Sequence, residues 1–99
     1  MLDIKSVINK DELIVGLDGR LDTTTAIQLE KALEGATDGV SLIIIDASRL
    51  QYISSAGLRV LLSTQKQISE HGRMVIRNVS NEVQEIFEVT GFTEILTIE

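Results

Sequence analysis

Two serines followed by two small residues, Ser54-Ser55-Ala56-Gly57, form the part of this sequence best suited to chemistry. They precede Leu58, Leu61, Leu62 and Ile68, apolar positions spaced as one face of a helix. The N–H groups of the first turn of such a helix lack intrahelical partners, and the macrodipole adds roughly half a positive charge there. A phosphoryl group on one of these hydroxyls is therefore tolerated and oriented by the helix end. The same residues also suit a plainer role, an N-cap worth about 1 kcal/mol. That role explains one serine and says less about Ala56 and Gly57, which on the phosphoacceptor reading leave the helix end open to a partner.

A few other residues have the right chemistry to stand near this point. Asp22 and Thr23 carry N-cap oxygens at the start of an earlier helix, where Asp22 serves as a cap, as a carboxylate beside the serines, or as both. Asp46 closes an apolar run and has two readings, binding of loop N–H groups or contact with a partner. Arg59, one turn into the serine helix, is a solvated surface residue that a partner can also use. His71 is the only histidine. Placed before Gly72 it fits a helix C-terminus, about 24 Å from Ser55 at 1.5 Å per residue, so it cannot be the base of a serine hydrolase. One histidine and scattered carboxylates give no metal-ligand spacing. Gly16 and Gly19 are followed by neither a P-loop nor a dinucleotide fingerprint, so no cofactor is expected.

The elements that must position these residues follow from periodicity. Leu2 and Ile4, then Leu13, Val15 and Leu17, read as two strands joined at the turn Asn9-Lys10-Asp11, an antiparallel hairpin. Ala26, Leu29, Ala32 and Leu33 mark a first helix ending at Gly35. Val40 to Ile45 is a nearly unbroken apolar run ending at Asp46, expected as a central strand covered on both faces. The serine helix should stop near His71-Gly72, with a strand at Met74-Val75-Ile76 after it. Ser80 caps a third helix carrying Val83, Ile86 and Phe87, ended by Gly91, and Ile95 to Ile98 is expected as a last strand. The order β-β-α-β-α-β-α-β predicts an α/β fold with one mixed sheet and helices packed on it. In open sheets of this kind ligands gather beyond the carboxyl ends of the strands, here Asp46 and the segment entering Ser54.

Composition narrows the function classes. Ninety-nine residues, 43 % hydrophobic and 24 % charged, suit one globular domain spanning 1–99. Without cysteine there is no disulfide or thiolate chemistry, and a reducing, cytoplasmic setting is expected. The longest apolar run, Leu42 to Ile45, is far short of the roughly 20 residues of a membrane span, and no basic signal start is seen. A net charge of −6, with nine scattered Lys and Arg, argues against nucleic acid. Tyr52, Phe87 and Phe92 are too few for a base-stacking platform.

Three segments taken together resemble the STAS domain of bacterial anti-sigma-factor antagonists over essentially the whole chain: Gly19-Arg20-Leu21-Asp22; Asp46-Ala47-Ser48 with Tyr52-Ile53-Ser54-Ser55-Ala56-Gly57-Leu58; and Phe87-Glu88-Val89-Thr90-Gly91-Phe92. The resemblance implies a non-enzymatic partner switch. The unphosphorylated form binds an anti-sigma factor that is also a serine kinase and frees the sigma factor. Phosphorylation at the position matching Ser55 stops binding, and a PP2C-type phosphatase restores it. Asp22, Thr23, Asp46, Ser54, Ala56, Gly57 and Arg59 then surround the switch. The family commonly has Asp before the acceptor and Ser or Thr after it; here these are Ser54 and Ala56, which makes Ser54 the alternative acceptor. Two other classes fit the same surface: a constitutive scaffold module of a sensory complex, and a nucleotide or small-ligand binder.

Overall fold

A computed structural model describes residues 1–99. Strands β1 (Leu2–Asn9) and β2 (Glu12–Leu21) form the expected hairpin, followed by helix α1 (Thr23–Leu33), strand β3 (Leu42–Ile53), helix α2 (Ser55–Ile68), strand β4 (Arg73–Arg77) and helix α3 (Asn81–Thr90). The sheet order is β1-β2-β3-β4, antiparallel at the hairpin and parallel at the two crossovers. This is the mixed α/β architecture expected from the order of elements.

Strand alternation determines which way each residue faces. Leu13, Val15 and Leu17 of β2, Ile43, Ile45 and Ala47 of β3, and Met74 and Ile76 of β4 share one core. Leu29 and Leu33 of α1, Leu58, Leu61 and Ile68 of α2, and Val83 and Phe87 of α3 fill it from above. Each such side chain contributes about 1.5–3 kcal/mol by leaving water. The opposite row, Val7, Ile14, Ile44 and Val75, runs in register across the sheet and lies outside that core. The expectation of a central strand covered on both faces holds in burial, since Ile43, Ile44 and Ile45 are all buried, but the helices pack on the Ile43 and Ile45 face alone. Val75 is buried without a second helical layer, and Arg73 and Arg77, alternate with it along β4, both pair with Glu99, at 3.8 Å and 2.8 Å.

Three other expectations need correction. The third strand does not end at Asp46 but continues to Ile53. Register shifts against β2 between Gly16 and Asp18 and between Gly19 and Arg20 place extra β3 residues in the ladder, and these bulges hide the strand's polar second half from a period-two reading. Helix α2 ends at Ile68 with Ser69 as a right-handed C-cap, so Gly72 is not the helix stop. Gly72 is needed because any Cβ there would collide with the Ser41 backbone. The last strand is reduced to a 3-10 turn at Phe92–Glu94 and a single bridge between Ile76 and Ile98.

Candidate functional site

Leu21 and Ile53 are paired residues at the ends of β2 and β3, so the two helices that follow start side by side. Asp22 caps α1 and Ser54 caps α2. Asp22 Oδ1 accepts from the N–H groups of Thr24 and Thr25 at 3.1 and 3.0 Å, while its own N–H donates to Thr25 Oγ1 at 2.8 Å. Thr25 Oγ1 in turn donates to the Arg20 carbonyl at 2.7 Å, tying the cap to the strand. Ser54 N–H donates to the Leu21 carbonyl at 2.8 Å, and Ser54 Oγ accepts from Gly57 N–H at 3.4 Å.

The two serines therefore differ. Ser54 is half-buried and its hydroxyl is the helix cap. Ser55, the first helical residue, is exposed, and its hydroxyl has no hydrogen-bond partner in the protein. Ser54→Ala is expected to destabilise the fold by about 0.5–1 kcal/mol through the lost cap, with Ser55→Ala within about 0.5 kcal/mol of wild type, in urea unfolding. Equal losses would mean that the capping role is misassigned.

Gly57 does not keep the helix end open, as its small size suggested. It is buried, and a Cβ there would lie 2.6 and 2.9 Å from carbons of Leu21 and 3.0 Å from Ile53. Its absence lets the first turn of α2 seat directly on the strand ends. Ala56 does face a cleft of about 420 Å³ between α1 and α2, shared with Thr23, Ile27, Arg59 and Val60. Ile27 is 57 % exposed, Arg59 takes part in none of the ion pairs and Glu30 lines the same cleft, so it offers apolar surface between a cation and a carboxylate.

Asp46 belongs elsewhere. Six residues of strand separate it from Ile53, roughly 20 Å. Its side chain lies on the helix-free face, in a depression with Asp18, Ser48 and Arg49. It accepts from the Asn78 amide at 3.1 Å and Ser48 N–H at 3.0 Å, so it pins the turn after β4 and is no neighbour of Ser55. A pair the motif reading passed over stands nearer: the Arg20 guanidinium lies 4.4 Å from the centre of the Tyr52 ring. These residues are register partners at the tops of β2 and β3, a relation visible only once the bulges are known. His71 Nε2 sits 2.8 Å from the Thr37 carbonyl, joining the end of α2 to the α1–β3 loop.

Two carboxyls are held below the usual range. For Asp22 the chief cause is the Thr25 N–H, and for Asp46 the Asn78 amide. Both therefore stabilise the fold in the ionised form, fully above the unfolded carboxyl value near pH 4, with loss as pH falls through the lower folded values. Urea midpoints should drop between pH 5 and pH 3, and drop less in an Asp22→Asn, Asp46→Asn double variant. Parallel curves would refute this origin of the acid sensitivity.

A family model described as "STAS domain" matches residues 3–99. BtrV of Bordetella bronchiseptica is 40 % identical over 88 residues, 87 % of this chain and 76 % of that protein. An anti-sigma-B factor antagonist of Staphylococcus aureus is 26 % identical over 99 residues, 98 % of this chain and 92 % of its own. Among solved structures, the fold is shared with the anti-sigma factor antagonist SpoIIAA. Its unphosphorylated form has a TM-score of 0.81 at 20 % identity, covering 100 % of this chain and 88 % of that one. The phosphorylated form of the Bacillus protein gives 0.74 at 20 % identity, with 100 % and 91 % covered. No helix is long and apolar enough to cross a membrane.

Proposed function

Because the chain belongs to the STAS domain family across residues 3–99, we propose that it is an anti-sigma-factor antagonist switched by phosphorylation of Ser55. The observation that carries this reading is the contrast between the serines: Ser55 presents an exposed, unbonded hydroxyl at a helix start, while the Ser54 hydroxyl is engaged as the cap. Modifying Ser55 leaves the cap in place; modifying Ser54 would break it. The names of the S. aureus relative and of SpoIIAA, the latter solved in both phosphorylation states, support the role and the chemistry.

In this reading the unmodified chain binds an anti-sigma factor that is also a serine kinase, and a PP2C-type phosphatase resets the switch. The α1–α2 cleft receives the partner: Ile27, Ala56 and Val60 supply apolar contact, and Thr23 and Arg59 flank it. The chain carries out no chemistry of its own. Its part is to hold Ser55 at the partner's active site while the helix N-terminus and Arg59, one turn along the same face, receive the incoming charge. Phosphopeptide mass spectrometry after incubation with the cognate kinase and ATP is expected to find phosphate on Ser55 and none in Ser55→Ala. Modification persisting in that variant, or confined to Ser54, would overturn the assignment.

A further inference from the structure

The two edges of the sheet are treated differently. Beyond β4, Ile76 N–H donates to the Thr97 carbonyl at 2.9 Å and Ile76 accepts from Glu99 N–H at 2.8 Å, so the C-terminal segment covers that edge. Nothing pairs with the outer side of β1. A bare edge is a template for another strand, and proteins usually blunt it. Here it bears two exposed apolar side chains, Val7 at 61 % and Ile8 at 68 %.

The hairpin register shows which groups point outward. Arg20 N–H donates to the Met1 carbonyl, and Leu2 stands opposite Gly19. Leu2 is therefore in a non-hydrogen-bonded pair, and so, by alternation, are Ile4, Ser6 and Ile8. Their N–H and C=O groups face away from β2. One of them is already used: the Gln28 amide of α1 donates to the Leu2 carbonyl at 2.9 Å. Ile4, Ser6 and Ile8 remain as a continuous unpaired ladder.

We propose that this edge pairs antiparallel with β1 of a second copy of the chain about a two-fold axis at Ser6. Ser6 then exchanges backbone hydrogen bonds with its symmetry mate, and Ile4 exchanges them with Ile8 of the other copy. The exposed Ile8 side chain lies on the core-facing side of the sheet against Ile4, which already packs on the core. Lys5, the usual kind of edge guard, stands opposite Val7 and not opposite itself. Centring on Ile4 would require the Leu2 carbonyl that Gln28 holds, and centring on Ile8 would run the ladder into the hairpin turn. Only the Ser6 register uses every free group and no occupied one. None of Ser54, Ser55, Ala56 or Arg59 takes part, so the fate of the phosphorylation reading does not bear on this pairing.

Sedimentation velocity over a rising concentration series should show a monomer–dimer equilibrium. Ser6→Pro should raise the dimer dissociation constant roughly thirtyfold or more, because both central hydrogen bonds are lost. The fold should survive, since the Ser6 N–H serves no ladder bond within the monomer and proline is accepted at such edge positions. A cysteine-free chain allows a second readout: Ser6→Cys should form an intersubunit disulfide, its Cα atoms being about 5.5 Å apart in a hydrogen-bonded pair. Asp3→Cys, opposite Asn9 of the partner copy, should cross-link far more slowly. A chain that stays monomeric throughout, a dimer indifferent to Ser6→Pro, or equal cross-linking of the two cysteine variants would each overturn the proposal.

Discussion

Phosphorylation of Ser55 is expected to weaken binding to the anti-sigma factor by roughly 100- to 1,000-fold while leaving the fold of the free protein intact. The phosphate adds a charge of about −1.5 to −2 and three strong acceptor oxygens to a position that is exposed in the free chain and, on the proposed reading, covered by the partner. In the free chain these are well accommodated by solvent, the dipole of α2 and the unpaired Arg59. In an interface formed around a neutral hydroxyl they must be desolvated, next to the ionised carboxylate of Asp22 at the neighbouring helix start. A cost of about 3–4 kcal/mol gives the stated fold-change. Calorimetric titration of the partner with phosphorylated and unphosphorylated chain measures it, with melting curves of both forms as the control. Ser55→Asp should reproduce only part of the loss, because it carries one charge and fewer acceptors. Undiminished affinity after stoichiometric phosphorylation would leave the constitutive scaffold as the better description.

The Gly57→Val variant should lose about 2–3 kcal/mol of stability and bind the partner more weakly as well. A first added carbon would already lie 2.6 Å from Leu21 and 3.0 Å from Ile53, both buried beneath the helix start, and valine adds two more atoms and a β-branch. Neither buried neighbour can swing away without disturbing the ends of β2 and β3. The first turn of α2 must therefore lift, carrying Ser54 and Ser55 with it. Urea unfolding reports the stability, and the same titration reports the binding. Ala56→Val, placed on the half-buried side facing the cleft, is the comparison: it should keep stability within about 1 kcal/mol of wild type. A Gly57→Val protein as stable as wild type would show that the close seating of α2 carries no weight.

Ser55 and Gly57 stand only two positions apart in the sequence, yet were not equally legible. Asp22, Ser80 and one serine of the pair were readable as caps because a cap satisfies N–H groups only two or three residues ahead, so the whole interaction lies in a short window. Gly91, left-handed at φ 81°, ends α3 for an equally local reason. The free hydroxyl of Ser55 followed from Ser54 being the cap, a distinction that neighbouring serines do not announce by type. Gly57 looked like an open door because its crowding comes from Leu21 and Ile53 on two different strands, and Gly72 looked like a helix stop because its crowding comes from Ser41.

The strands and helices as far as α3, the hairpin and the helix starts were legible in the sequence, because periodicity, capping and turn preference act over a few residues. Tertiary structure alone decided how far β3 runs, which face of the sheet stays free of helices, and which groups of β1 remain unpaired. It moved Asp46 away from the serines and brought Arg20 onto Tyr52. Those outcomes rest on cross-strand register, and register is set by the bulges between β2 and β3, whose paired residues lie some thirty positions apart in the chain.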